Sequence, residues 1–178
     1  MDRSLGYTLA WQTAYVAFAM VILLAHLVPL ETTPRSLIAP DILLAMTLAW
    51  ATLRPEALLI VVVGVMFLLA DLLLQRPPGL WPALVIIAVE ILRARSDDLR
   101  DAGFFAEWAW VSVVIVTLFV ANMILSVILL PYELSEGLQL LQMAFTLLVY
   151  PLAAGLLRLM FGTQRTATGT VDGRGRPI

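Results

Sequence analysis

Between Pro40 and Leu80 the chain carries two long apolar runs, each with a single acid near one end. The polar corner Leu53-Arg54-Pro55-Glu56 joins them, and the acids, Asp41 and Asp71, stand at the ends remote from that corner. A charge in an apolar span costs about 2.5 kcal/mol or more, so each acid needs a partner that the fold must supply. Around this stretch, 61% of residues are hydrophobic, 13% are charged and the mean hydropathy is +0.94. Soluble domains carry about 25% charge, and their cores do not need apolar runs of bilayer length. These features predict an all-α, polytopic membrane protein.

Six runs of helical length follow in order. The first, Thr8 to Leu30, would reach roughly 34 Å at the helical rise, with Trp11 and Tyr15 at interface depth near its start. It is too long for a signal-peptide core and is read as a retained span, in which Ala10, Ala14 and Ala17 form a small-residue stripe suited to close helix contact. A second span, Leu37 to Leu53, has Pro40 in its first turn, Asp41 at the positive end of its dipole, and Ala45 and Ala49 at small-xxx-small spacing. The third, Glu56 to Leu74, contains Gly64 and Asp71, and the turn Gln75 to Gly79 closes it. Leu80 to Leu92 is short for a bilayer of about 30 Å and is extended through Glu90 and Arg93, which sit three apart and suit an ion pair on one helix face. Arg93 to Glu107 reads as the one substantial polar loop; Trp108 to Leu130 and Leu138 to Phe161 complete the set. Residues 1–161 therefore form a six-helix transmembrane domain, and 162–178, small, polar and Gly-rich, a disordered cytoplasmic tail.

Six spans put both termini on one side. With that side cytoplasmic, nine Arg lie inside (Arg3, Arg54, Arg93, Arg95, Arg100, Arg158, Arg165, Arg174, Arg176) against Arg35 and Arg76 outside. The bias fits the positive-inside rule. From the Arg54–Pro55 corner, Asp41 and Asp71 are both about 20–24 Å away along the helices, which predicts matched depth and a separation within about 10 Å, with Arg35 or Arg76 near them.

Catalytic and metal chemistry find little purchase. There is no cysteine and a single histidine, His26, so neither a thiolate nor a multi-histidine metal site is available. The two acids lack a neighbouring nucleophile or oxyanion donor, and the cluster Asp97, Asp98, Asp101 is too tightly spaced for a metal–diphosphate site. Asn122 and Gln142 are expected in interhelical hydrogen bonds. No cofactor, metal or nucleic-acid partner is expected.

Pro40-Asp41 opening one span, Arg54-Pro55 at the corner, then Gly64, Asp71 and Gly79-Leu80 together resemble the pattern of the MreD family, over roughly Ala39 to Ala88 by motif and the whole chain by length and hydropathy. The turn Arg76-Pro77-Pro78 is richer in proline than that family's usual loop. The resemblance implies a non-enzymatic subunit of the bacterial rod-shape, or elongasome, system in the inner membrane. Its implied partners are an MreC-like bitopic protein, a RodA-type glycosyltransferase, a class B penicillin-binding protein and MreB. The fold it implies is similar to the six-helix substrate-binding subunits of energy-coupling-factor transporters. That likeness leaves a ligand-binding subunit of a vitamin-type transporter as the alternative function. Asp41, Arg54, Gly64, Asp71 and Gly79 are the partner-binding or structural polar positions the resemblance singles out.

Overall fold

The computed structural model describes residues 2–27, 39–129 and 136–161. Every regular element among them is helical: α1 (Asp2–Leu27), α2 (Ile42–Leu53), a single 3-10 turn (Pro55–Ala57), α3 (Ile60–Leu73), α4 (Leu80–Ala94), α5 (Ser96–Ala102), α6 (Phe104–Leu129) and α7 (Glu136–Phe161). Among the described residues, three helical stretches are long and apolar enough to cross a membrane: Thr8–Leu27, Phe104–Leu129 and Gly137–Met160. At about 1.5 Å per residue, α2, α3 and α4 run for roughly 18–22 Å, less than the hydrocarbon thickness of a bilayer. The expected tail, 162–178, lies outside the described residues, as does Arg35.

The centre of the bundle is α2. Ten of its twelve residues are buried, on every side of the helix, which marks an element enclosed by others rather than one lying at a surface. Ala45 and Ala49 are fully buried and let neighbouring backbones approach closely. The most extensive packing of α2 is against α7, followed by α4, while α3 packs against α4 and α1. The two helices of the Pro40–Leu80 stretch therefore do not pack along one another as a hairpin; α4 lies against both. The cause is the corner itself. Pro55 stops α2, the 3-10 turn follows, and the extended backbone at Leu58 and Leu59 carries the chain away before α3 begins.

Two other expectations change. The stretch 93–107 is not a loop: α4 continues to Ala94, α5 occupies 96–102, and α6 starts at Phe104 after Gly103 turns the chain with a φ of +87°. Asp97 and Asp98 in the first turn of α5 favour that helix through its dipole, so the polarity taken for a loop belongs to a surface helix. In α1, Ala10 and Ala17 are exposed, and the inward stripe is Tyr15, Ala19 and Leu23. Trp50 of α2 directs that choice, with the rings of Trp11, Tyr15 and Phe18 all within 6.2 Å of its own, and Tyr15 Oη lies 3.0 Å from Thr47 Oγ1. An aromatic cluster buries more apolar surface than an alanine stripe, so α1 turns its rings inward.

Outward, the helices present aliphatic stripes: Val61, Val65, Leu68 and Leu72 on α3, Val113, Val116, Val120, Ile124 and Val127 on α6, and Leu148, Leu152, Leu156 and Leu159 on α7. Gly64 faces the other way and is buried against α4; a β-carbon there would sit 3.2 Å from the terminal methyl of Ile86. Replacing Gly64 by alanine should shift stability by less than about 1 kcal/mol, because the helix-propensity gain offsets the squeeze on a flexible methyl. Gly64→Leu should cost about 1–3 kcal/mol by overpacking, and Ile86→Val should recover part of that loss. Equilibrium unfolding in detergent checks all three.

Candidate functional site

Polar side chains gather at the two ends of the bundle. At the corner end, Glu107 sits in the first turns of α6 and is 1% exposed. Its Oε1 accepts a hydrogen bond of 2.8 Å from Tyr150 Oη, and its Oε2 is bonded to a guanidinium nitrogen of Arg158. Thr52 Oγ1, near the end of α2, lies 3.4 Å from both Glu107 Oε1 and Tyr150 Oη. One carboxylate thereby joins α2, α6 and α7. Burying it without partners would be prohibitive, whereas a full set of donors holds the charge and fixes the register of the three helices. The positive end of the α6 dipole adds to the same effect.

The arginines at this end also stack on aromatic faces. Arg158 lies 5.0 Å from the Phe104 ring, Arg95 lies 4.5 Å from Trp110, and Arg54 lies 4.8 Å from Trp11. Arg54 also approaches Glu56 at 3.9 Å, and Arg93 pairs with Glu90 at 2.8 Å, as their spacing predicted. These contacts bring the start of α1, the ends of α2, α4 and α7, and the start of α6 to one end of the molecule. Beside them, an open groove of about 480 Å³ is lined by Pro55, Glu56, Glu90, Arg93, Ser96 and Asp97.

One hydrogen bond here follows from a proline. Pro151 inside α7 has no N–H for the carbonyl of Leu147, four residues earlier, and Trp108 Nε1 takes that carbonyl at 3.4 Å. A proline is thus accommodated one residue from Tyr150, because α6 supplies the missing donor.

The other end holds the acids. Asp41 caps α2: its Oδ1 accepts the Leu44 N–H at 2.8 Å, and its own N–H donates to Thr146 Oγ1 of α7 at 3.0 Å. Asp71 is fully buried on α3, and its Oδ2 accepts the N–H of Gly79 at 3.1 Å. Gly79 adopts a φ of +106° as the N-cap of α4, a conformation that side chains disfavour. The backbone N–H of Arg76 donates to the Asp71 carbonyl at 2.9 Å, so the carboxylate and backbone of one residue shape the whole α3–α4 turn. Arg76 and Asp41 both lie close enough to act on the Asp71 charge. His26, which bonds the Ile22 carbonyl at 2.9 Å, also lines a small recess at this end together with Asp41, Arg76 and Gln142.

Of the five positions singled out in the sequence, Asp41, Asp71 and Gly79 belong to this end, Arg54 belongs to the opposite one, and Gly64 is a packing position between α3 and α4. Glu107, Tyr150, Arg158 and Thr52 were not singled out. The available signal was an acid inside the aromatic run Phe104 to Trp110 and a base inside the last apolar helix, two charges that must find each other in a helix bundle. Among the described residues no group of three or more His, Cys, Asp or Glu is placed to hold a metal ion.

Replacing Arg158 by leucine should destabilise the protein by about 3 kcal/mol, the low end for breaking a buried pair, since a quarter of the guanidinium side chain stays exposed. Adding Glu107→Gln to that variant should recover most of the loss, and a double-mutant cycle on unfolding free energies measures it. Asp41→Ala should cost about 1 kcal/mol through the lost cap.

No family model, no curated protein and no solved structure matches this chain.

Proposed function

We propose that this chain is a non-enzymatic, MreD-like subunit of the bacterial cell-wall elongation complex, a membrane scaffold that holds an MreC-like bitopic partner beside RodA-type and class B penicillin-binding enzymes and MreB. The motif order Pro40-Asp41, Arg54-Pro55, Gly64, Asp71 and Gly79-Leu80 supports the family reading. The outward aliphatic stripes on α3, α6 and α7 support a lipid environment, because water does not tolerate apolar surface of that extent. In this reading the helices make six passes of an inner-membrane protein, with α2 sheltered from lipid by its neighbours. Its architecture would then be similar to that of the energy-coupling-factor substrate-binding subunits. Arg54, Arg93, Arg95 and Arg158 share the end that also carries the start of α1 and the end of α7, while Arg76 lies at the other. That distribution favours a cytoplasmic location for both termini.

At the Asp41 end, one observation favours the scaffold over the transporter alternative. The recess beside Asp41 measures about 20 Å³, whereas pockets for organic ligands are about 300–1,000 Å³. A water fits there and a vitamin does not.

Extraction in mild detergent tests the reading. Recovery of a bitopic coiled-coil partner with the chain, and loss of rod shape on depletion, are the expected outcomes; a tightly bound small metabolite in place of the partner would overturn the proposal. Reporter fusions after Arg95 and at the C-terminus should both report the cytoplasm, and a periplasmic signal from either one refutes the orientation.

A further inference from the structure

The outward apolar surface is not equally tall on all sides. On α6, exposed apolar side chains run from Phe105 to Leu129, about 36 Å at the helical rise, and the one charge between them, Glu107, is buried. On α3 they run only from Leu59 to Leu73, about 21 Å, and any tilt of the helix reduces that height. Exposed polar side chains bound this stripe at both ends, Glu56 before it and Gln75 and Arg76 after it. The neighbouring α4 is no taller. From Leu80 to Ile91 it offers about 17 Å, and its last exposed apolar residue stands beside the exposed Glu90 that pairs with Arg93. Because α3 packs against α4, and α4 against α6, the two short surfaces adjoin and the tall one comes next.

A hydrocarbon layer of ordinary thickness, about 30 Å, overhangs the α3 stripe by about 9 Å. A long side chain such as Arg76 can snorkel across part of that gap. The backbone cannot. It is extended at Leu58 and Leu59 on one edge, and non-helical from Gln75 to Pro78, all of them exposed, on the other. Irregular backbone of this kind does not enter lipid-exposed hydrocarbon, because its open N–H and C=O groups find no partners there. A stripe too short for its bilayer is met by thinning of the lipid around it. We propose that the α3–α4 face holds the bilayer locally thin, taking lipid whose two leaflets together span about 21 Å of hydrocarbon, while the α6 face meets a layer of ordinary thickness. The face therefore selects among lipids: short or kinked acyl chains fit it, and long saturated chains do not. This inference rests on the lipid environment argued above and not on any protein partner.

Depth measurements on the labelled full chain test it. The chain has no cysteine, so one introduced cysteine carries a nitroxide at a chosen site. Val65→Cys places the label near the middle of the α3 stripe and Val116→Cys near the middle of α6, both at exposed positions. In vesicles of dioleoylphosphatidylcholine, collisions with oxygen and with a water-soluble nickel chelate report the depth of each label. A depth of about 10 Å below the headgroups is expected at Val65 and about 15 Å at Val116, half the local hydrocarbon thickness in each case. Labels from Val61→Cys and Leu72→Cys, near the ends of the stripe, should both read within about 5 Å of the headgroups. In the shorter dimyristoleoyl lipid the depth at Val65 should hold while that at Val116 falls. Equal depths at Val65 and Val116 in the dioleoyl vesicles would overturn the thinning. A Val65 label shielded from both probes would assign the face to a protein neighbour and sink the proposal as surely. Labels open to the nickel chelate at every site, Val116 included, would instead refute the lipid environment itself.

Discussion

A buried carboxylate needs donors, and Glu107 finds its donors on a different helix. Tyr150 and Arg158, both on α7, hold it, and Thr52 of α2 sits against both it and Tyr150. In an apolar interior the hydrophobic effect does little to choose one helix register over another, since sliding one aliphatic face along another changes little. A charge with three polar neighbours does choose, because every displaced arrangement leaves it unmatched. The register of α6 and α7, and through Thr52 that of α2, follows from this one group.

The two ends of the molecule solve different problems. At the corner end, charges are paired and arginines lie over aromatic rings, an arrangement suited to an interface where one face of the ring is wet and the other apolar. At the opposite end the acids serve the backbone: Asp41 caps one helix, and Asp71 holds the turn into another. Each satisfies main-chain N–H groups that a helix terminus would otherwise leave open.

The positions of the apolar helices were legible in the chain because their apolar runs are bounded by Pro, Gly and charge. The cap at Asp41 and the Glu90–Arg93 pair were legible too, since both are local. What local pattern does not encode is partnership. Glu107 stood at the end of a polar stretch and read as loop, and its burial is decided by Arg158, 51 residues further on. The central place of α2 was hidden for a related reason. An all-round apolar helix of twelve residues looks like a short span, and only the packing of α7 and α4 reveals it as the core. The stretch from Pro40 to Leu80 is central, but as two separate helices rather than a hairpin.

The partnership of α2 with α7 has a consequence for biogenesis. The core helix is made well before its principal neighbour, so Asp41 awaits Thr146, 105 residues further on, and Thr52 awaits Tyr150, 98 residues further on. A short helix that leaves the translocation machinery before its shelter exists must be held meanwhile by α1, whose aromatic rings already surround Trp50. Assembly would then proceed in two stages: an early aromatic clasp between α1 and α2, and a late closure when α7 docks.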